Sequence, residues 1–147
     1  MSELASTARP ARPEIRNLSL LHDIPTYRMP LAGYVSILHR ISGVLLFLAL
    51  PFLVWLLDAS ISSEASYKQL TSVFGAGLWI FPGWLVKLAT LVLLWAYLHH
   101  FCAGLRYLYM DATHMTSKEF GRKSAAAVLA ASLLLTVVCG AKLFGAW

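Results

Sequence analysis

Charge is what this chain has least of. Only 13% of its 147 residues are Asp, Glu, Lys or Arg, about half the share usual in soluble domains. Cysteine is almost as scarce: Cys102 and Cys139 stand alone, and with no Cys-x-x-Cys pair they can build neither a disulfide scaffold nor an iron-sulfur cluster. There is no Gly-rich phosphate loop and no nucleophile-base pattern, so the chain offers no lodging for a flavin and no hydrolytic centre. The net charge of +5 is spread over the ends of apolar runs, so no nucleic-acid contact is expected. What abounds is apolar: 59% of residues are hydrophobic and the mean hydropathy is +0.67. No soluble core absorbs that many apolar side chains, and the solvent this sequence fits is a lipid bilayer.

Crossing the hydrocarbon core takes roughly 20 helical residues. Three stretches are long enough, at about 33 to 57, 82 to 109 and 124 to 146. They predict an all-α integral membrane protein of three transmembrane helices in a single domain, with no internal repeat. Arg9, Arg12, Arg16 and Arg28 precede the first span, and Lys118, Arg122 and Lys123 lie in the second loop, while the first loop has only Lys68. The positive-inside rule therefore predicts a cytoplasmic N-terminal segment (1 to 32) and a periplasmic C-terminus, so that Lys87 and Lys142 snorkel at the outer face. The first 30 residues show no short apolar run before a small-residue cleavage site, and no signal peptide is expected there. Trp79, Trp84, Tyr107, Tyr109 and Trp147 read as interfacial anchors. In the third span, Ala125 to Ala127, Ala130, Ala131 and the pair Ala141 and Gly145 read as close-packing positions.

Ionisable groups inside a span cost on the order of 2.5 to 3.5 kcal/mol each at mid-bilayer and are functional candidates for that reason. One cluster is Ser36-Ile-Leu-His39-Arg40-Ile-Ser42-Gly43, where Ser36, Arg40 and Gly43 share a helical face. From position alone, Arg40 either snorkels to inner-leaflet phosphates or faces, with Ser36, a pocket for the polar head of an apolar molecule such as a quinone. The other cluster runs from Tyr97 to Asp111 and holds His99, His100, Gly104 and Arg106. Neighbours on a helix point about 100° apart, so His99 and His100 cannot serve one partner. His100 shares its face with Ala96, Ala103 and Gly104, a small-residue surface that lets a flat cofactor or another helix approach, whereas His99 stacks with Trp95 and Arg106. A neutral imidazole on such a face can ligate haem iron or simply bond to a neighbouring helix. If it ligates, the second axial ligand comes from the far side of the ring, from His39 or from another chain. His22 and His114 lie in polar flanks and read as solvated.

The two clusters, in this order and preceded by Tyr27-Arg28-Met29-Pro30, resemble the cytochrome b membrane-anchor subunits of bacterial succinate dehydrogenase, respiratory complex II. The likeness extends over roughly residues 13 to 146. It implies a multi-pass protein of the bacterial inner membrane that binds haem b, with His100 as axial ligand to the iron and the second ligand supplied by a second small anchor subunit. It implies ubiquinone binding by Ser36 and Arg40, and haem surroundings that include His39 and Arg106. Succinate would be oxidised in a flavoprotein subunit, with electrons reaching the quinone through an iron-sulfur subunit docked on the cytoplasmic side. Tyr107 stands where related chains often carry a second histidine, and a tyrosine gives one hydrogen bond but no positive charge. The reading from another class is a haem-free structural anchor whose histidines only join helices.

Overall fold

The structure, a computed structural model, describes residues 27–146. Most of the expected cytoplasmic segment, His22 and Trp147 lie outside the described residues. Four helices follow in order: α1 (Leu31–Ile61), α2 (Glu64–Ala76), α3 (Gly83–Thr113) and α4 (Lys118–Leu143). Three of them, α1, α3 and α4, are long and apolar enough to cross a membrane. The protein is thus all-α with three spans, as the apolar runs predict.

Four of the six span limits lie outside the expected ones, while α3 begins one residue later than expected and α4 ends three residues earlier. α1 begins on Pro30, whose extended backbone (φ −68°, ψ 153°) precedes the first turn. It continues through Pro51, which cannot donate to the carbonyl four residues back but leaves the helix otherwise intact. α4 starts six residues before the expected 124 because Ser117 caps it, its hydroxyl accepting from the Phe120 N–H at 3.3 Å, with Glu119 in the first turn to meet the helix dipole.

α2 was not expected at all. The Ser63 hydroxyl accepts from the Ser66 N–H, and the Ser66 hydroxyl accepts from the Ser63 N–H, which closes a capping box. Glu64 and Lys68 pair at 2.6 Å on its exposed side, while Leu70, Val73 and Phe74 face an apolar cavity walled by Phe52 and Trp55 of α1 and Leu85 of α3. After α2, Gly77 turns the chain at φ 94° and Leu78 and Phe81 exchange backbone bonds of 2.8 and 2.9 Å around a tight turn. Trp79 at its tip is 96% exposed. A Cβ at Gly83 would lie 2.7 Å from the Phe74 and Gly75 carbonyl oxygens, so only glycine lets α3 start this close to the end of α2.

α3 is the central helix and packs against all the others. The core is small: Val35, Ala103, Ala125 and Val128 meet where α1, α3 and α4 come together. In α4 the close approaches are at Ala125, which is fully buried, and at Gly140, where a Cβ would come within 2.7 Å of Leu91 Cδ1. Ala126, Ala127, Ala130 and Ala131, expected as packing positions, are exposed, and Gly145 lies beyond the end of α4. The four alanines lie off the face that α4 turns to this chain's own bundle, which carries Ala125, Val128, Ser132 and Gly140. The apolar face of α1, including Ile37, Ile41, Val44, Phe47 and Leu48, is also exposed, as suits lipid or a further subunit.

Candidate functional site

His39 of α1 and His100 of α3 converge across the helix pair. Their rings are stacked, with centroids 4.1 Å apart and planes 15° from parallel. Glycines make room for this. A Cβ on Gly43 would stand 2.9 Å from His100 Cε1, and a Cβ on Gly104 would touch His39 Nε2 at 3.8 Å. Each imidazole therefore lies beside a glycine of the opposite helix.

The polar atoms of the pair are unequally satisfied. His100 Nδ1 is 3.1 Å from the His39 carbonyl oxygen and 3.2 Å from Ser42 Oγ. His100 Nε2 has no hydrogen bond among the described residues. His39 Nε2 is buried and has no partner among them either. Beside both rings runs an open groove of about 820 Å³, lined by His39, His100, Gly104 and Tyr107 and leading past Asp111 and His114 at its mouth. Tyr107 leans on His39, with ring centroids 5.3 Å apart.

His99 goes elsewhere. It is fully buried, stacks on Trp95 at 5.5 Å and reaches Ser132 Oγ of α4 with Nδ1 at 3.3 Å. Arg106 lies on this same side, 8% exposed, and donates from Nε to Ser124 Oγ at 2.8 Å and from Nη2 to the Gly121 carbonyl at 3.3 Å. Its guanidinium also lies 5.2 Å from the centroid of the Tyr107 ring, whose other neighbour is His39. The structure thus brings His39 and His100 together and turns Arg106 toward α4. Ser36 is half-buried and Arg40 exposed on α1, and among the described residues neither forms a hydrogen bond or ion pair. Ser42 is the contributor the sequence reading passed over as part of a motif, though a serine three residues after a histidine on one helix was the available signal.

A flat ligand with a metal at its centre fits this arrangement. An imidazole beside the groove has one nitrogen engaged and the other available, a glycine clears the approach to its edge, and an unpaired buried nitrogen waits on the groove wall. Fold and site together define a class: a three-span membrane protein whose first two spans face each other through a histidine pair.

The particular family follows from comparison. The profile of the family described as "Succinate dehydrogenase/Fumarate reductase transmembrane subunit" matches residues 10–139, and the chain belongs to that family. It is 36% identical over 118 residues to the succinate dehydrogenase cytochrome b556 subunit of Coxiella burnetii, covering 80% of this chain and 90% of that protein. The protein of the same name from Paracoccus denitrificans is 32% identical over 122 residues, covering 83% of this chain and 88% of its own. This chain is accordingly a membrane anchor of complex II, a multi-pass protein of the bacterial inner membrane that works with the other subunits of that complex.

Proposed function

We propose that this chain is the haem b-binding anchor of a succinate:ubiquinone oxidoreductase, helping to form the quinone reduction site and docking the iron-sulfur subunit. The observation that carries the reading is the His100 imidazole, held through Nδ1 at the edge of an open groove with Nε2 left over. His100 would hold the haem iron through Nε2, and a second small anchor subunit would close the groove and hold the iron from its own side. His39 Nε2 would bond a carboxylate of the haem, and Arg106 would act on the same surroundings at one remove through Tyr107. The bound haem supplies a one-electron carrier at this depth.

Ser36 and Arg40 hold the quinone head. The Arg40 guanidinium offers a planar fork of N–H donors and no acceptor, so its part is to orient and polarise a carbonyl oxygen. The Ser36 hydroxyl donates a second hydrogen bond one turn away. As electrons arrive the quinone oxygens become more basic, and protons reach them through water at the cytoplasmic end of α1. On this reading the N-terminal segment and the loop before α4, the side that carries seven positive charges, lie in the cytoplasm against the iron-sulfur subunit, and the C-terminus lies in the periplasm.

A dithionite-reduced minus oxidised spectrum of the purified complex tests the reading. A b-type band in the wild type that is lost or displaced in His100→Ala supports it. An intact wild-type complex with no haem band would make the chain a structural anchor and remove the haem roles of His100, His39 and Arg106 together.

A further inference from the structure

We infer that Ser42 is a positioning residue for the iron-binding imidazole: beside the His39 carbonyl, its hydroxyl oxygen is the second acceptor at Nδ1 of His100 and fixes the plane of the ring. The inference rests on the haem-anchor reading above and goes beyond it, to a residue on the other helix that touches no cofactor.

Ser42 is fully buried. Its hydroxyl hydrogen is committed to the His39 carbonyl oxygen, 2.9 Å away, so toward His100 its oxygen can only accept. The same carbonyl lies 3.1 Å from His100 Nδ1, and Ser42 Oγ lies 3.2 Å from it. Nδ1 therefore faces two oxygens, neither with a hydrogen left to give. Only an N–H satisfies both, which puts the proton on Nδ1 and a lone pair on Nε2, the form in which a neutral imidazole binds iron. One acceptor would tether the ring at a point. Two acceptors, together with the His39 ring on its face and the glycine at its edge, hold its tilt as well.

The neighbouring histidine provides an internal comparison. His99 Nδ1 faces Ser132 Oγ at 3.3 Å, and that hydroxyl donates to the Leu129 carbonyl at 3.2 Å. The serine does the same to the ring, but His99 is fully buried and does not line the groove, whereas His100 does. What separates the two sites is access.

The test uses the complete purified complex carrying Ser42→Ala, Ser132→Ala, and the nearly isosteric pair Ser42→Thr and Ser42→Val. The readouts are the reduced-minus-oxidised band, the low-spin electron paramagnetic resonance of the oxidised haem, and haem retained under graded imidazole. Ser42→Ala and Ser42→Val should shift or broaden both spectra and release haem about 10-fold more readily. Ser42→Thr and Ser132→Ala should track the wild type. If Ser42→Ala fails to assemble, the threonine-valine comparison still isolates the hydroxyl from the volume. Wild-type spectra and retention in Ser42→Val, or equal disturbance by threonine and valine, would overturn the proposal. A wild-type complex without haem would overturn the parent reading itself, and so differs from either result.

Discussion

Gly43 and His100 fit each other as socket and plug: the space a Cβ would take on residue 43 is 2.9 Å from His100 Cε1. Gly43→Ala must therefore push the imidazole aside, and with it the Nδ1 contacts that hold the ring. The expected outcome is a displaced or missing haem band with the chain still in the membrane. Gly121, where a Cβ meets nothing within 4 Å, is the control; Gly121→Ala should leave the spectrum unchanged.

His99→Ala should act on stability and leave the haem signal nearly as it is. The side chain is fully buried and joins α3 to α4 through Ser132, so its removal opens a cavity and breaks one interhelical bond, on the order of 1–3 kcal/mol together. Thermal inactivation of the detergent-solubilised complex measures this. A lost haem band in His99→Ala with a normal one in His100→Ala would reverse the assignment.

Arg40→Leu should slow quinone reduction by about 10²-fold, the usual effect of removing one preorganised donor. Assembly and succinate oxidation by an artificial acceptor should stay near the wild-type level. Equal loss of both activities would show that Arg40 serves the structure rather than the quinone.

Arg106→Ala removes the bonds to Ser124 and Gly121 that fasten the C-terminal end of α3 to the N-terminal end of α4. The expected result is a less heat-stable complex, with haem content falling only as the complex itself falls apart. Arg106→Lys should rescue incompletely, because an ammonium cannot reproduce two bonds from a planar fork. Selective haem loss at unchanged stability would instead place Arg106 directly on the cofactor.

The spans were legible because each is a long apolar run, a signal that survives without knowledge of any partner. α2 was not, because 13 residues with a Glu64–Lys68 pair read as loop on hydropathy alone. Its Ser63 and Ser66 box and the spacing of Leu70, Val73 and Phe74 were there to be used. Within the site, the difference between His99 and His100 followed from the 100° step along one helix. The stacking of His39 on His100 did not, since it depends on how two separate helices are rotated and shifted against each other. The direction of Arg106 was equally hidden, being settled by where Ser124 and Gly121 of another element come to lie.

The turn at Trp79 has the make-up of a float. A tryptophan 96% exposed at its tip, next to Ile80 at 74%, prefers the boundary between acyl chains and head groups, and resists being pulled to either side. α3 runs rigidly from just after that turn, and at about 1.5 Å per residue its imidazole at position 100 hangs about 26 Å below the first residue of the helix and about 20 Å above the last. The waterline at one end of the bundle thus sets how far the histidine pair lies from the other, and a longer or shorter stretch between Trp79 and His100 would carry the whole pair to a different level in the bilayer.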